Sequence, residues 1–179
     1  TLSGNSVSLA TFTMTDLTTL NISGAVDMAL GATATTGNTA LTAIDASGAT
    51  GDIDLGDDGT PFVTAATGAT VTMGSGNDMV HLDVGTSGLL KAIDLGSSDA
   101  ITVVDRSDGD TLSLDSASGT GLTVIDLTST TDQISQLLGS ANAAAQTGVE
   151  HIDLSDFAQG TASSSITGTA DGNQIFGGA

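Results

Sequence analysis

Residues 71–82 read VTMGSGNDMVHL and combine turn glycines with a carboxylate between two short alternating runs. Gly74 and Gly76 can take backbone angles that a side chain would hinder, so a turn built on them can aim successive carbonyl oxygens inward. Asp78 then adds a charged oxygen. Together these are donors for a hard cation: calcium takes about six to eight oxygens at about 2.3–2.6 Å, more than one carboxylate supplies, and stacked turns can share that duty. The competing reading is a metal-free turn in which Asp78 caps backbone amides.

Related turns follow. GSSDAITV (96–103) sets Asp99 two residues before Ile101, as Asp78 stands two before Val80, and SDGDTLSL (107–114) sets Asp110 two before Leu112. Asp99 lies 21 residues after Asp78 and 11 before Asp110, approximating a full and a half coil, so Asp78 and Asp99 are expected in neighbouring turns. Gly96 belongs to the same turn as Asp99, and Asp94, Asp108 and Asp115 are further oxygen donors nearby.

Other chemistries fit less well. A phosphate cradle needs glycines leading into a helix, sometimes with a lysine, but MVHLDV continues as a strand and the sole lysine is Lys91. His81 takes the outward phase of its strand and His151 precedes IDLS; with no HExxH spacing, both are expected to be exposed polar residues. Ser75 has no histidine at a diagnostic position. The absence of cysteine excludes thiol nucleophiles and thiolate metal sites. No catalytic site is expected.

The elements that must position these residues are short strands. Period-two alternation recurs in VSLATFTM (7–14), LNIS (20–23), VDMAL (26–30), DIDL (52–55), VHLDV (80–84), ITVV (101–104), TLSL (111–114) and LTVIDL (122–127). It puts Val80, Leu82 and Val84 on one face and His81 and Asp83 on the other. TTLNISG, TAIDASG, KAIDLGS, TVIDLTS and EHIDLSD share an Ile-Asp/Asn core, and their isoleucines, Ile22, Ile44, Ile93, Ile125 and Ile152, are separated by 22, 49, 32 and 27 residues. Such intervals suit coils of two short strands with insertions. One segment departs from the pattern: TDQISQLLGSANAAAQTG (131–148) offers Thr131 as an N-cap and places Ile134, Leu137, Leu138 and Ala141 at helical spacing, predicting a short helix near 131–147 that covers an apolar edge. Pro61 marks a turn, and a soft boundary falls near residue 66.

Composition agrees with a thin interior. Among 179 residues there are four Phe, no Trp, no Tyr and 24 Gly, while twenty Asp and one Glu face one Lys and one Arg, for a formal charge of −19. That field repels nucleic acid and anionic membranes. There is no apolar run of about 18 residues that would span a bilayer. Thr1 opens the chain and FGGA closes it in mid-motif, so it reads as a segment of something longer.

On these residues the chain resembles the calcium-binding RTX family, whose nonapeptide is G-G-x-G-x-D-x-U-x with U a large apolar residue. In MGSGNDMVH (73–81), Gly74, Gly76, Asp78 and Val80 match, while Met73 replaces the first glycine. In GTADGNQIF (168–176), Gly168 and Ile175 match, but Asp171 stands where glycine is usual and Asn173 where Asp is usual. The resemblance implies calcium ligation by Asp78 and turn carbonyls, Val80 and Ile175 as core residues, and Asn173 as a weakened ligand. The mixture of Thr/Ser-rich strands and degenerate turns is similar to alphaproteobacterial surface-layer proteins of the Caulobacter type and to type I secreted adhesins.

The expected fold is therefore all-β: a right-handed parallel β-roll or β-solenoid with irregular coils, 1–66 forming an irregular segment and 67–179 an RTX-like segment continuous with it and extending beyond 179. The expected metal set is Gly74, Gly76, Asp78, Gly96, Asp99, Asp108, Asp110, Asp171 and Asn173, with calcium as the ion. The function expected from the resemblance is a structural component of an extracellular surface layer at the cell surface. It would self-associate in a lattice, with a cell-surface polysaccharide as a further candidate partner, no nucleic acid and no direct membrane insertion. The alternatives are an adhesin stalk or the non-catalytic RTX domain of a secreted hydrolase.

Overall fold

A computed structural model describes residues 6–9, 16–31, 40–57, 60–61, 63–64, 69–83, 91–97, 109–115, 122–142, 144–155, 157, 164–170 and 172–177. Asp99, Asp108, Asp171 and the ITVV run at 101–104 lie outside these residues.

Every regular element described is a strand: β1 (Ser6–Leu9), β2 (Thr19–Gly24), β3 (Asp27–Leu30), β4 (Ala43–Ala49), β5 (Ile53–Asp57), β6 (Thr60–Pro61), β7 (Val63–Thr64), β8 (Thr70–Thr72), β9 (Met79–Asp83), β10 (Ile93–Asp94), β11 (Thr111–Asp115), β12 (Thr123–Asp126), β13 (Ile134–Leu137), β14 (Ser140–Ala141), β15 (Gln146–Thr147), β16 (His151–Asp153), β17 (Ser164–Thr167) and β18 (Ile175–Phe176). The first sheet runs β1-β3-β5-β9-β11-β16-β18 and the second β15-β10-β8-β4-β2, with parallel pairing along both paths. From β1 to β5 successive strands alternate between the two sheets, and β8, β9, β10 and β11 resume the alternation. Both sheets cross residue 66 through the β4–β8 and β5–β9 pairs.

The core follows from this register. Leu9, Leu30, Leu55, Val80, Leu112, Ile152 and Ile175 form one row across the first sheet. The five inner members are at most 2% exposed, whereas Leu9 and Ile175 at the row ends are 37% and 46% exposed. Val80 thus fills the core as expected, whereas Ile175, expected in the core, is exposed because it is the terminal rung with no strand beyond it in the described sheet. Ile44, Val71 and Ile93 make the facing row from the second sheet. Small and branched residues suffice because the layer between parallel strands is narrow.

The recurring Ile-Asp segments have one local job in three different sheets. Asp45, Asp126 and Asp153 each accept the amide of the residue two ahead, Ser47, Thr128 and Ser155, and Asp94 does the same for Gly96. At Asp94, Asp126 and Asp153 these are turn caps on the last residue of a strand, whereas Asp45 lies inside β4 beside its bulge. Ile44 and Ile93 lie in the second sheet, Ile125 in the third and Ile152 in the first. The motif therefore marks a local bend, at a strand end in three of these four cases, and not one stacked position. Ile22 is not the partner of Ile44 either: Leu20 is, and a bulge follows Asn21.

The helix expected near 131–147 is absent, and β13, β14 and β15 occupy that segment instead. Leu138 and Gly139, with φ of 51° and 82°, form a two-residue turn between the antiparallel strands β13 and β14. Two successive positive φ angles give the hairpin turn whose twist matches the flanking strands. The apolar positions were compatible with both readings; Ile134 and Leu137 are buried by the hairpin, but Ala141 is exposed. The third sheet, β14-β13-β12-β17, is fastened to the rest by amide side chains. Gln133 Nε2 donates to Leu127 O and Val149 O, and Gln133 Oε1 accepts from Val149 N. Asn142 Nδ2, just after β14, donates to Gln146 Oε1 in β15 of the second sheet.

Candidate functional site

The glycine turns stack at the end of the second sheet. Ser75 N donates to Ala49 O at 3.1 Å, and Ser97 N donates to Gly74 O at 3.1 Å. The approach is so close that a Cβ on Gly74 would lie 2.0 Å from Ala49 O, one on Gly76 2.7 Å from Gly51 O, and one on Gly96 2.1 Å from Gly74 O. Gly96 also has φ +84°, the left-handed region that favours glycine. Gly74, Gly76 and Gly96 are thus brought together, and each lets one backbone turn rest on the next. The carbonyls of Ala49 and Gly74 meet amides of the following turn.

The carboxylates gather at the entrance of the first sheet's strands, where Asp78 follows the Gly74–Gly76 turn and keeps the Gly74 amide. Register places Met28, Ile53, Asp78, Asp110, Glu150 and Asn173 in one row, two residues ahead of the apolar row described above. Asp78 Oδ1 accepts Ile53 N at 2.8 Å, Asp110 Oδ1 accepts Asp78 N at 2.7 Å, and Glu150 Oε2 accepts Asp110 N at 2.9 Å. Asn173 continues the line: its Nδ2 donates to Glu150 O at 2.7 Å, and its Oδ1 accepts the Thr169 amide and hydroxyl. A second line, one residue earlier, joins Asp27, Asp52 and Asn77, each amide donating to the carboxylate of the rung before. The neighbour of Asp78 on the following rung is therefore Asp110, 32 residues on.

Asp78 is 1% exposed and Asp110 fully buried. Burial pushes the Asp78 carboxyl up to about 6, opposed by the Ile53 and Gly74 amides and assisted by the Asp52 charge. Burial likewise pushes Asp110 up to about 9, with the Glu150 and Asp78 charges adding to it and the Asp78 amide opposing. Asp78 Oδ2 and Asp110 Oδ2 are enclosed and accept no hydrogen bond. A positive charge supplied beside these oxygens, as a proton or a cation, would satisfy them. Among the described residues no three His, Asp or Glu side chains form a group that could hold a metal ion.

Glu150 belongs to no aspartate-glycine turn, so that pattern does not point to it. The signal was present: Glu150 stands two residues before Ile152, as Asp78 does before Val80, Asp110 before Leu112 and Asn173 before Ile175.

His81 and His151 are not exposed. They are 3% and 0% exposed, and Ser113, Asp115 and Asp153 on the same outward face of the first sheet are also buried. Alternation assigns the face correctly, but it does not say whether that face meets water. His81 lies between two carboxylates, Nε2 at 3.7 Å from Asp54 Oδ1 and Nδ1 at 3.9 Å from Asp115 Oδ2, while Ser113 Oγ donates to Asp115 Oδ1 at 2.9 Å. His151 Nδ1 accepts Gln174 N at 3.0 Å, which fixes its ring against β18.

No family model matches this chain, and neither a curated protein nor a solved structure matches it.

Proposed function

We propose that the chain is a right-handed β-solenoid acting as a non-catalytic, calcium-stabilised structural element of an extracellular surface layer. The observation that carries this reading is the row from Leu9 to Ile175, in which seven parallel strands repeat one core position while the chain alternates between two sheets over much of its length. Repetition of that kind makes a stiff, extensible body suited to spacing and lattice building. Right-handedness follows from the strong bias of parallel crossover connections. The RTX-like residues Gly74, Gly76, Asp78 and Val80, and the buried carboxylates, support calcium as the stabilising ion. The acidic surface supports a role outside the cell, where millimolar calcium can offset its repulsion. Self-association in a lattice, with a cell-surface polysaccharide as anchor, completes the reading.

The test is circular dichroism of the chelated protein before and after calcium, followed by electron microscopy. Calcium should raise the melting temperature and produce ordered sheets. Isolated rods would favour the adhesin stalk, and an unchanged melting curve would remove calcium from the account.

A further inference from the structure

The outward face of the first sheet holds a second set of titratable groups, separate from the carboxylate row. His81 in β9 is 3% exposed and lies between carboxylates of the two neighbouring rungs: Nε2 is 3.7 Å from Asp54 Oδ1 in β5, and Nδ1 is 3.9 Å from Asp115 Oδ2 in β11. Both separations exceed a hydrogen bond and are within ion-pair range. A carboxylate only accepts, and a neutral imidazole has one N–H, so in the neutral ring one nitrogen lone pair must face a carboxylate oxygen. The imidazolium has two N–H groups and can turn one towards each neighbour. Ser113, the register partner of His81, donates from Oγ to Asp115 Oδ1 and so holds that carboxylate beside the ring. The field of the whole chain acts in the same sense, since one Lys and one Arg face 21 acidic residues. His151 has no such setting: its Nδ1 accepts the Gln174 amide, so that nitrogen is already engaged.

We propose that His81 is an acid-responsive clasp: on taking up a proton it becomes the shared cation that ties β5, β9 and β11 together through Asp54 and Asp115. The described strands against β9 add only acidic titratable groups, Asp57 in β5 and Asp83 in β9 itself, with none in β6 or β7. Asp153 and His151 stand one rung further on, in β16, opposite Ser113 and Thr111. Burial of the ring works against the charge, but the Asp54 side chain is 44% exposed, so the clasp opens to water on one side and the two carboxylates prevail. A proton held more tightly in the folded chain than in the unfolded one stabilises at low pH. The contribution is complete below the ordinary histidine value of about 6.5 and is lost as pH rises through the folded one. The clasp needs no metal ion and is independent of the calcium reading.

Urea unfolding of the full chain in chelator at pH 5.5 and pH 8, compared with His81→Gln, tests the clasp. The substitution should lower the folding equilibrium constant by at least about fivefold more at pH 5.5 than at pH 8, as follows when the folded ring holds its proton about ten times more tightly than the unfolded one. Asp54→Asn, at the half-exposed partner, should shrink this pH-dependent gain without abolishing the fold. Nitrogen NMR of the unaltered chain at pH 6 reads the same state without any substitution, and both ring nitrogens of His81 should carry protons. A loss on His81→Gln that is equal or smaller at pH 5.5, or a His81 ring with a single N–H at pH 6, overturns the clasp. Either result leaves the calcium reading standing, because no calcium is present in these measurements.

Discussion

Acidification should stabilise the chelated protein, and Asp110 should account for a measurable share of the effect. Its carboxyl is raised from 3.8 to about 9 in the folded state. Between those values the folded chain keeps a proton that the unfolded chain has released, so the contribution is fully present below 3.8 and is lost as pH rises towards 9. The slope is about 1.4 kcal/mol per pH unit for one group. From pH 7 to pH 5 Asp110 therefore adds about 3 kcal/mol, and Asp78, raised to about 6, adds about 1.4 kcal/mol more below its own midpoint. For a chain of this size about 3 kcal/mol corresponds to roughly 6–12 °C in melting temperature. The assay is thermal unfolding by circular dichroism in chelator at both pH values, for the unaltered chain and Asp110→Asn. The general repulsion among the other acidic residues is shared by both proteins and cancels in the comparison. An equal rise in melting temperature for the two would refute the assignment of a buried, proton-holding Asp110.

Three further outcomes follow from packing. Gly96→Ala places a Cβ 2.1 Å from Gly74 O at φ +84°, so it should cost at least about 2 kcal/mol, whereas Gly177→Ala, with nothing within 4 Å, should be neutral in urea titrations. Leu112→Ala should cost about 3–5 kcal/mol, and Leu9→Ala, at the exposed end of the same row, less than half of that, as read by denaturant midpoints. His81→Ala removes a buried ring between Asp54 and Asp115 and should lower stability by about 1–3 kcal/mol; a change near zero would mean that the ring is exposed in solution.

Much of the first sheet was legible because its signal is local. Alternation in VHLDV and TLSL identifies β9 and β11, and the step of two from carboxylate to apolar residue marks the same point on successive strands. What was not legible depends on partners distant in sequence. The neighbour of Asp78 is set by insertions of unequal length, giving rungs 25, 32 and 40 residues apart, and no spacing rule distinguishes Asp99 from Asp110 in advance. Leu138 misled for another reason. Its apolar type fits a helical stripe, and only the tertiary burial of Ile134 and Leu137 holds the residue at positive φ in a hairpin turn. The histidines failed because period-two patterning assigns faces without saying what covers them.

The replacement of Ile53 by Asp78 along one row divides the fold into two chemical regimes. On the rungs of Met28 and Ile53 the interior is hydrocarbon, and its cohesion is insensitive to pH or ions. From Asp78 to Glu150 the same position is acidic, so cohesion there depends on what neutralises the carboxylates. In a stack of parallel strands each rung contacts mainly its neighbours, and a local loss of cohesion stays local. Calcium or acid should therefore act first on β9, β11 and β16 and leave β3 and β5 ordered. This follows from one register, because the line of carboxylates and the line of Leu30, Leu55, Val80, Leu112 and Ile152 run two residues apart on the same strands.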